Sequence, residues 1–111
     1  MRNTMKIRVT SQFTVTTDDD LANHLDALIR SLVEIEGRNR DVSESDVSAV
    51  LSRGVVEMST VIATDSWESA DLRAEGVFEE AIRLAGGRID GSGSADADLT
   101  ARIRSTEMVP A

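Results

Sequence analysis

Residues 46–64 constrain this chain more than any other stretch. Val47, Ala49 and Leu51 alternate with serines and Val50; Ser52-Arg53-Gly54 then interrupts, and Val55 to Ala63 resumes as Val-Val-Glu-Met-Ser-Thr-Val-Ile-Ala. Two readings compete. Val47, Val50, Leu51, Val55 and Met58 also fit helical spacing, which would make 43–58 one helix. Against this, six valines and isoleucines between 47 and 62, several serines and a central glycine all lower helix propensity. A glycine in the left-handed conformation closes a hairpin instead, with a bulge at Gly54. The prediction is two paired strands, at about 45–52 and 54–64.

The rest of the chain arranges itself around that hairpin. Met5, Ile7, Val9, Phe13 and Val15 alternate with Lys6, Arg8, Thr10, Gln12, Thr14 and Thr16. This predicts a strand over 5–17 with one buried face, in which Ser11 is the weak point. Asp18-Asp19-Asp20 then supplies a cap and favourable charge for a helix over 18–36. Its apolar stripe is Leu21, Leu25, Leu28, Leu32 and Ile35, flanked by Ala22, Ile29 and Val33, and Gly37 ends it. A second helix over 66–85 presents Ala70, Ala74, Val77, Phe78, Ala81, Ile82 and Ala85 on one face and stops at Gly86-Gly87. Glycine, serine and aspartate make 86–97 a flexible loop. Leu99, Ala101 and Ile103 alternate with Thr100, Arg102 and Arg104 in a last strand over 98–109.

There is an internal echo as well. Gln12-Phe-Thr-Val-Thr-Thr-Asp-Asp-Asp20 parallels Met58-Ser-Thr-Val-Ile-Ala-Thr-Asp-Ser66, and both helical segments finish in glycine and arginine. Strand, helix, strand, strand, helix, strand is the order of a ferredoxin-like α+β sandwich. Such a fold has a four-stranded antiparallel sheet, the first and third strands central, and two helices on one face. At 111 residues the expectation is a single domain over 1–111. The runs Asp46-Val-Ser-Ala-Val-Leu-Ser-Arg-Gly-Val-Val-Glu-Met-Ser59 and Ala81-Ile-Arg-Leu-Ala-Gly-Gly87 resemble small uncharacterised actinobacterial or actinophage proteins. That resemblance implies the same order of elements and no activity.

Composition narrows the function classes. No cysteine is present, so disulfides and thiolate metal sites are excluded. The net charge of −8 argues against general binding to phosphate backbones. Neither a signal peptide nor a membrane span is expected, and the expected compartment is the cytoplasm. His24 is the single histidine and lacks the partners a general base or a zinc site requires. Asp18-Asp19-Asp20 and the aspartates of 90–98 lack the calcium-loop pattern. Gly86-Gly87 and Gly91-Ser-Gly93 follow a helix where a phosphate loop precedes one. Trp67 reads as a packing anchor at the start of the second helix. The sequence therefore predicts no enzyme, no cofactor and no metal.

What stands out is the sheet face that no helix covers. Lys6, Arg8, Thr10, Gln12, Thr14, Glu57, Ser59, Val61, Arg102 and Arg104 are expected there as an interaction face, with Val50, Val55 and Val61 exposed. The helices carry about a dozen acidic residues against three arginines, so the molecule is expected to be electrically two-faced. This favours a non-catalytic module that self-associates through the open face or the sheet edges as a dimer, or that binds a protein partner. A small-molecule-binding regulator or a virion assembly component are further versions. In an alternative reading, Gln12-Phe-Thr-Val-Thr-Thr17 is similar to the DNA-reading strand of ribbon-helix-helix regulators, with 43–58 as the second helix.

Overall fold

The structure, a computed structural model, describes residues 4–17, 20–89 and 99–111. Its elements run β1 (Met5–Thr17), α1 (Leu21–Arg38), β2 (Val42–Val50), a 3₁₀ turn (Leu51–Arg53), β3 (Val55–Thr64), α2 (Trp67–Leu84), β4 (Gly87–Ile89) and β5 (Leu99–Pro110). The sheet order is β2-β3-β1-β5-β4. The four long strands pair antiparallel throughout, while β4 runs parallel to β5, Gly87 opposite Leu99 and Ile89 opposite Ala101. The fold is thus α+β, with two helices and a mixed five-stranded sheet among the described residues.

Residues 42–64 form the hairpin. Val50 pairs with Val55 across the 3₁₀ turn, and Gly54 takes the left-handed conformation at φ 62°. An added Cβ at Gly54 would lie 3.0 Å from the Val15 carbonyl oxygen, so the position needs glycine for conformation and for space. The bulge, however, is elsewhere. The register shifts between Ser43 and Asp46, where Glu44 adopts φ 48°. The Glu36 carboxylate accepts the Glu44 N–H from the helix side, while Arg8 donates to the Glu44 carbonyl from the open side. A strained residue persists here because two elements hold it.

One apolar cluster joins the helices to alternate strand residues, among them Ile7, Val9, Phe13, Val56, Met58, Ile62, Leu99 and Ala101. Phe13 and Phe78 meet edge to face with ring centroids 6.4 Å apart. Two polar side chains enter this layer and are satisfied there. Ser11 shares a hydrogen bond with Thr106, and Thr60 bonds both Ser45 Oγ and the Ser43 carbonyl. No buried side-chain polar atom lacks a partner among the described residues.

Three further expectations need correction. The sheet has five strands and is mixed, because Gly87–Ile89, read as loop, pairs with β5. Gly37 does not end α1; it lies in the last turn, and the helix leaves through Asn39. The Asn39 side chain donates to the Ile35 carbonyl, which supplies the cap without any left-handed residue. The helix stripe is also narrower than expected. Ala22, Ile29 and Val33 are exposed, and Ser31 takes a buried place by donating to the Ala27 carbonyl at 2.7 Å. Residues 18, 19 and 90–98, which carried the expected aspartate cluster and most of the expected loop, lie outside the described residues.

Candidate interaction surface

The pleat of β1 settles which side chains the helix-free face presents. Reading across the strands, Lys6 neighbours Ala63, and Arg8 lies between Val61 and Val109. Thr10 lies between Ser59 and Glu107, Gln12 between Glu57 and Ser105, and Thr14 between Val55 and Arg102. β2 extends these rows with Ser43, Asp46, Ser48 and Val50. The structure therefore places nine of the ten residues expected on this face in paired rows.

Arg104 is the exception. The register of β1 with β5 shifts between Gln12 and Phe13, so Ile103 faces Phe13, Ser105 faces Gln12, and Arg104 has no opposite residue on β1. The shift also reverses the alternation beyond it, placing Glu107 and Val109 on the open face and Thr106 and Met108 on the helix side. The sequence signal for this is faint. Only the polar pairing of Ser11 with Thr106 hints at the register.

Two of the valines expected to be exposed are covered. Val61 is 0% exposed and Val55 7%, whereas Val50 is 49% exposed. Arg8 accounts for Val61. From β1 its guanidinium reaches Ser59 Oγ at 3.0 Å and the Glu44 carbonyl at 3.4 Å on β2, so its aliphatic stem crosses β3 beside Val61. Its longer contact to the Glu44 carboxylate, at 4.0 Å, is a weak one.

The face is not uniformly basic either. Lys6 and Arg8 form a basic band, Asp46, Glu57 and Glu107 an acidic band in the next two rows, and Arg102 a basic position beyond. Among the described residues, Lys6, Asp46, Glu57 and Glu107 make no ion pair. The remaining side chains are mostly threonine, serine and glutamine. Phe13 and Phe78 are buried in the core and the exposed Trp67 begins α2, so none of the three aromatic residues lies on this face. Base stacking of the kind an RNA-binding sheet uses has no platform here.

The other singled-out residues have ordinary settings. His24 is half-buried on α1, with Nε2 3.1 Å from Thr17 Oγ1. Asp20 caps α1, its carboxylate accepting the Ala22 N–H. Trp67 is exposed and is not the packing anchor expected. No group of three or more His, Asp or Glu side chains is placed to hold a metal ion, and no helix is long and apolar enough to cross a membrane, among the described residues.

Among the described residues, the one pair with a displaced titration is structural. Arg73 on α2 donates through Nε to Asp41 at 2.8 Å and through an Nη to Asn39 at 2.8 Å, tying α2 to the turn between α1 and β2. That hydrogen bond, more than charge attraction, holds the Asp41 carboxyl below its usual value, against the opposing effect of partial burial.

No family model matches the chain, and no curated protein matches it. Solved structures do. A C-terminal segment of the alpha subunit of aIF2 from Pyrococcus abyssi is similar over 96% of this chain at 15% identity, with a TM-score of 0.55. This chain spans only 51% of that segment. A conserved protein from Methanosarcina mazei Go1 matches over 96% of this chain and 92% of its own, at 17% identity and a TM-score of 0.49. A de novo designed protein with a ferredoxin fold matches over 95% and 87%, at 16% identity and a TM-score of 0.47. At such identities the likeness is one of fold alone.

Proposed function

We propose that this chain is a non-catalytic, self-associating module, a ferredoxin-like sandwich with one added strand that pairs with a second copy through the helix-free sheet face. The observation that carries this reading is the row order of charges on that face. A two-fold axis lying across the strands, between the Arg8 and Thr10 rows, sets each basic row of one copy against an acidic row of the other. Lys6 then meets the partner's Glu57 within one strand spacing, about 4.8 Å. Four strands over the paired length present roughly 600–700 Å² per copy, slightly under the ~800 Å² of a standard stable interface. A reversible dimer weakened by salt is the expected behaviour. Regulation by a small molecule and virion assembly are roles such a dimer is compatible with. The ribbon-helix-helix alternative has little to stand on, since 43–58 lies in two strands and the turn between them.

Sedimentation equilibrium at tens of micromolar tests the reading. The dimer is expected to dissociate on Glu57→Lys and to return in the double swap Lys6→Glu with Glu57→Lys. A strict monomer, or a dimer indifferent to both variants, removes the proposal.

A further inference from the structure

We propose that the outer edge of β5 takes up an extended, basic segment of another protein as an added strand, with its side chains seated in the groove between β5 and α2. β4 covers β5 for three residues only, Gly87 to Ile89 against Leu99 to Ala101. Beyond Arg102, the outward backbone groups of residues 103–110 meet no strand among the described residues. An uncovered edge of that length is a template for strand addition. Above it lies an open groove of about 260 Å³ with an apolar floor of Phe13, Phe78 and Ile103. Ile103 is 51% exposed although its register places it on the helix side of the sheet; among the described residues, β4 stops short of it.

The chemistry of the rim identifies the occupant. Asp71, Glu75 and Glu79, one turn apart along α2, line the groove. Glu79 is paired with Arg83, while Asp71 and Glu75 have no cationic partner among the described residues. A second copy added across this edge by a two-fold axis would bring two such acidic rims side by side, which like-charge repulsion opposes. Residues 90–98 of the chain itself contain three aspartates, no cation and no large apolar side chain. A foreign strand carrying an aliphatic side chain at the level of Ile103, and lysine or arginine at the next alternate positions, satisfies the floor, the rim and the edge together.

The probe is a fluorescent heptapeptide, Thr-Leu-Thr-Lys-Thr-Lys-Thr, titrated against the full chain by anisotropy at low salt. Saturable binding with a Kd at or below about 1 mM is expected. It should weaken roughly tenfold in the double variant Asp71→Lys, Glu75→Lys, whose far-UV circular dichroism checks that α2 is intact. Glutamate in place of the two peptide lysines, or N-methylation of its backbone, should abolish binding. Amide signals of 103–110 should shift in NMR spectra of the complex. Absence of binding, or binding unaffected by the charge reversals, overturns the proposal. So does hydrogen-exchange protection, in the free protein, of those amides of 103–110 that point away from β1. Protection that rises with concentration assigns the edge to a second copy, and protection independent of concentration assigns it to the chain itself.

Discussion

α1 and α2 both end beside a glycine and an arginine, yet the two exits work differently. α1 passes through Gly37 without using its freedom and leaves at Asn39, whose side chain caps the last turn while Arg73 grips both Asn39 and Asp41. The chain turns directly into β2. α2 leaves through Gly86, which adopts φ 87°, and Gly87 then enters the sheet as the first residue of β4. The first exit is held by side chains, and the second by backbone conformation and lack of bulk. A glycine following a helix is therefore no guide to its own role until its neighbours are known. The glycine exit also lays down a short strand that flanks β5 for three residues only, Gly87 to Ile89.

The sharpest way to break the comparison is Gly87→Ala. An added Cβ would lie 2.8 Å from Leu99 Cδ2, 2.9 Å from Ile82 Cγ2 and 3.1 Å from the Leu99 carbonyl oxygen. Both side chains are fully buried core members with little room to retreat. Overpacking at such a site costs about 2–3 kcal/mol. Denaturant unfolding measures it, and a loss below about 0.5 kcal/mol would show that β4 gives way freely and that the second exit does not depend on bulk.

Next in size is the first exit's tie, tested by Asp41→Asn. Both side chains of the Asp41–Arg73 pair are nearly two-fifths exposed, so solvent discounts the pair to about 1 kcal/mol. The sign with pH follows from the lowered titration of Asp41. Its stabilisation is present above the unfolded value of 3.8 and is lost as pH falls through the lower folded value. The gap in stability between the two proteins should be full at pH 7 and close below about pH 3.8. A gap that persists in acid would mean that the asparagine disturbs the turn by some route other than the lost charge.

Much of this architecture is legible in the residues. The alternation of Ile7, Val9 and Phe13 and the α2 face from Ala70 to Ile82 read directly as core, because period and burial coincide there. Gly54 is legible as a left-handed residue because β-branched runs flank it. The illegible parts are those where tertiary contacts override local pattern. The bulge at Glu44 depends on Glu36 and Arg8, which lie far from it in sequence, and the shift at Arg104 depends on Ser11 finding Thr106. Nine of the ten face residues follow from alternation alone. The coverage of Val61 does not, because it requires one particular path of the Arg8 side chain across β3. β4 escapes notice since three residues beginning with glycine carry no periodicity.

The smallest effect closes the comparison from the other side. If Gly37 contributes only its backbone, Gly37→Ala should stabilise the protein where Gly87→Ala destabilises it. Gly37 lies within α1, exposed, with no left-handed φ and nothing within 4 Å of an added Cβ. Alanine there gains about 0.5–1 kcal/mol by restricting the unfolded chain and by better helix propensity. The position is one turn or less from the helix end, where fraying reduces the benefit, so the lower figure applies. A rise in Tm of about 2–4 °C is the expected reading. A fall in Tm would place the first exit in the same class as the second, with the glycine and not Asn39 and Arg73 setting the path of the chain into β2.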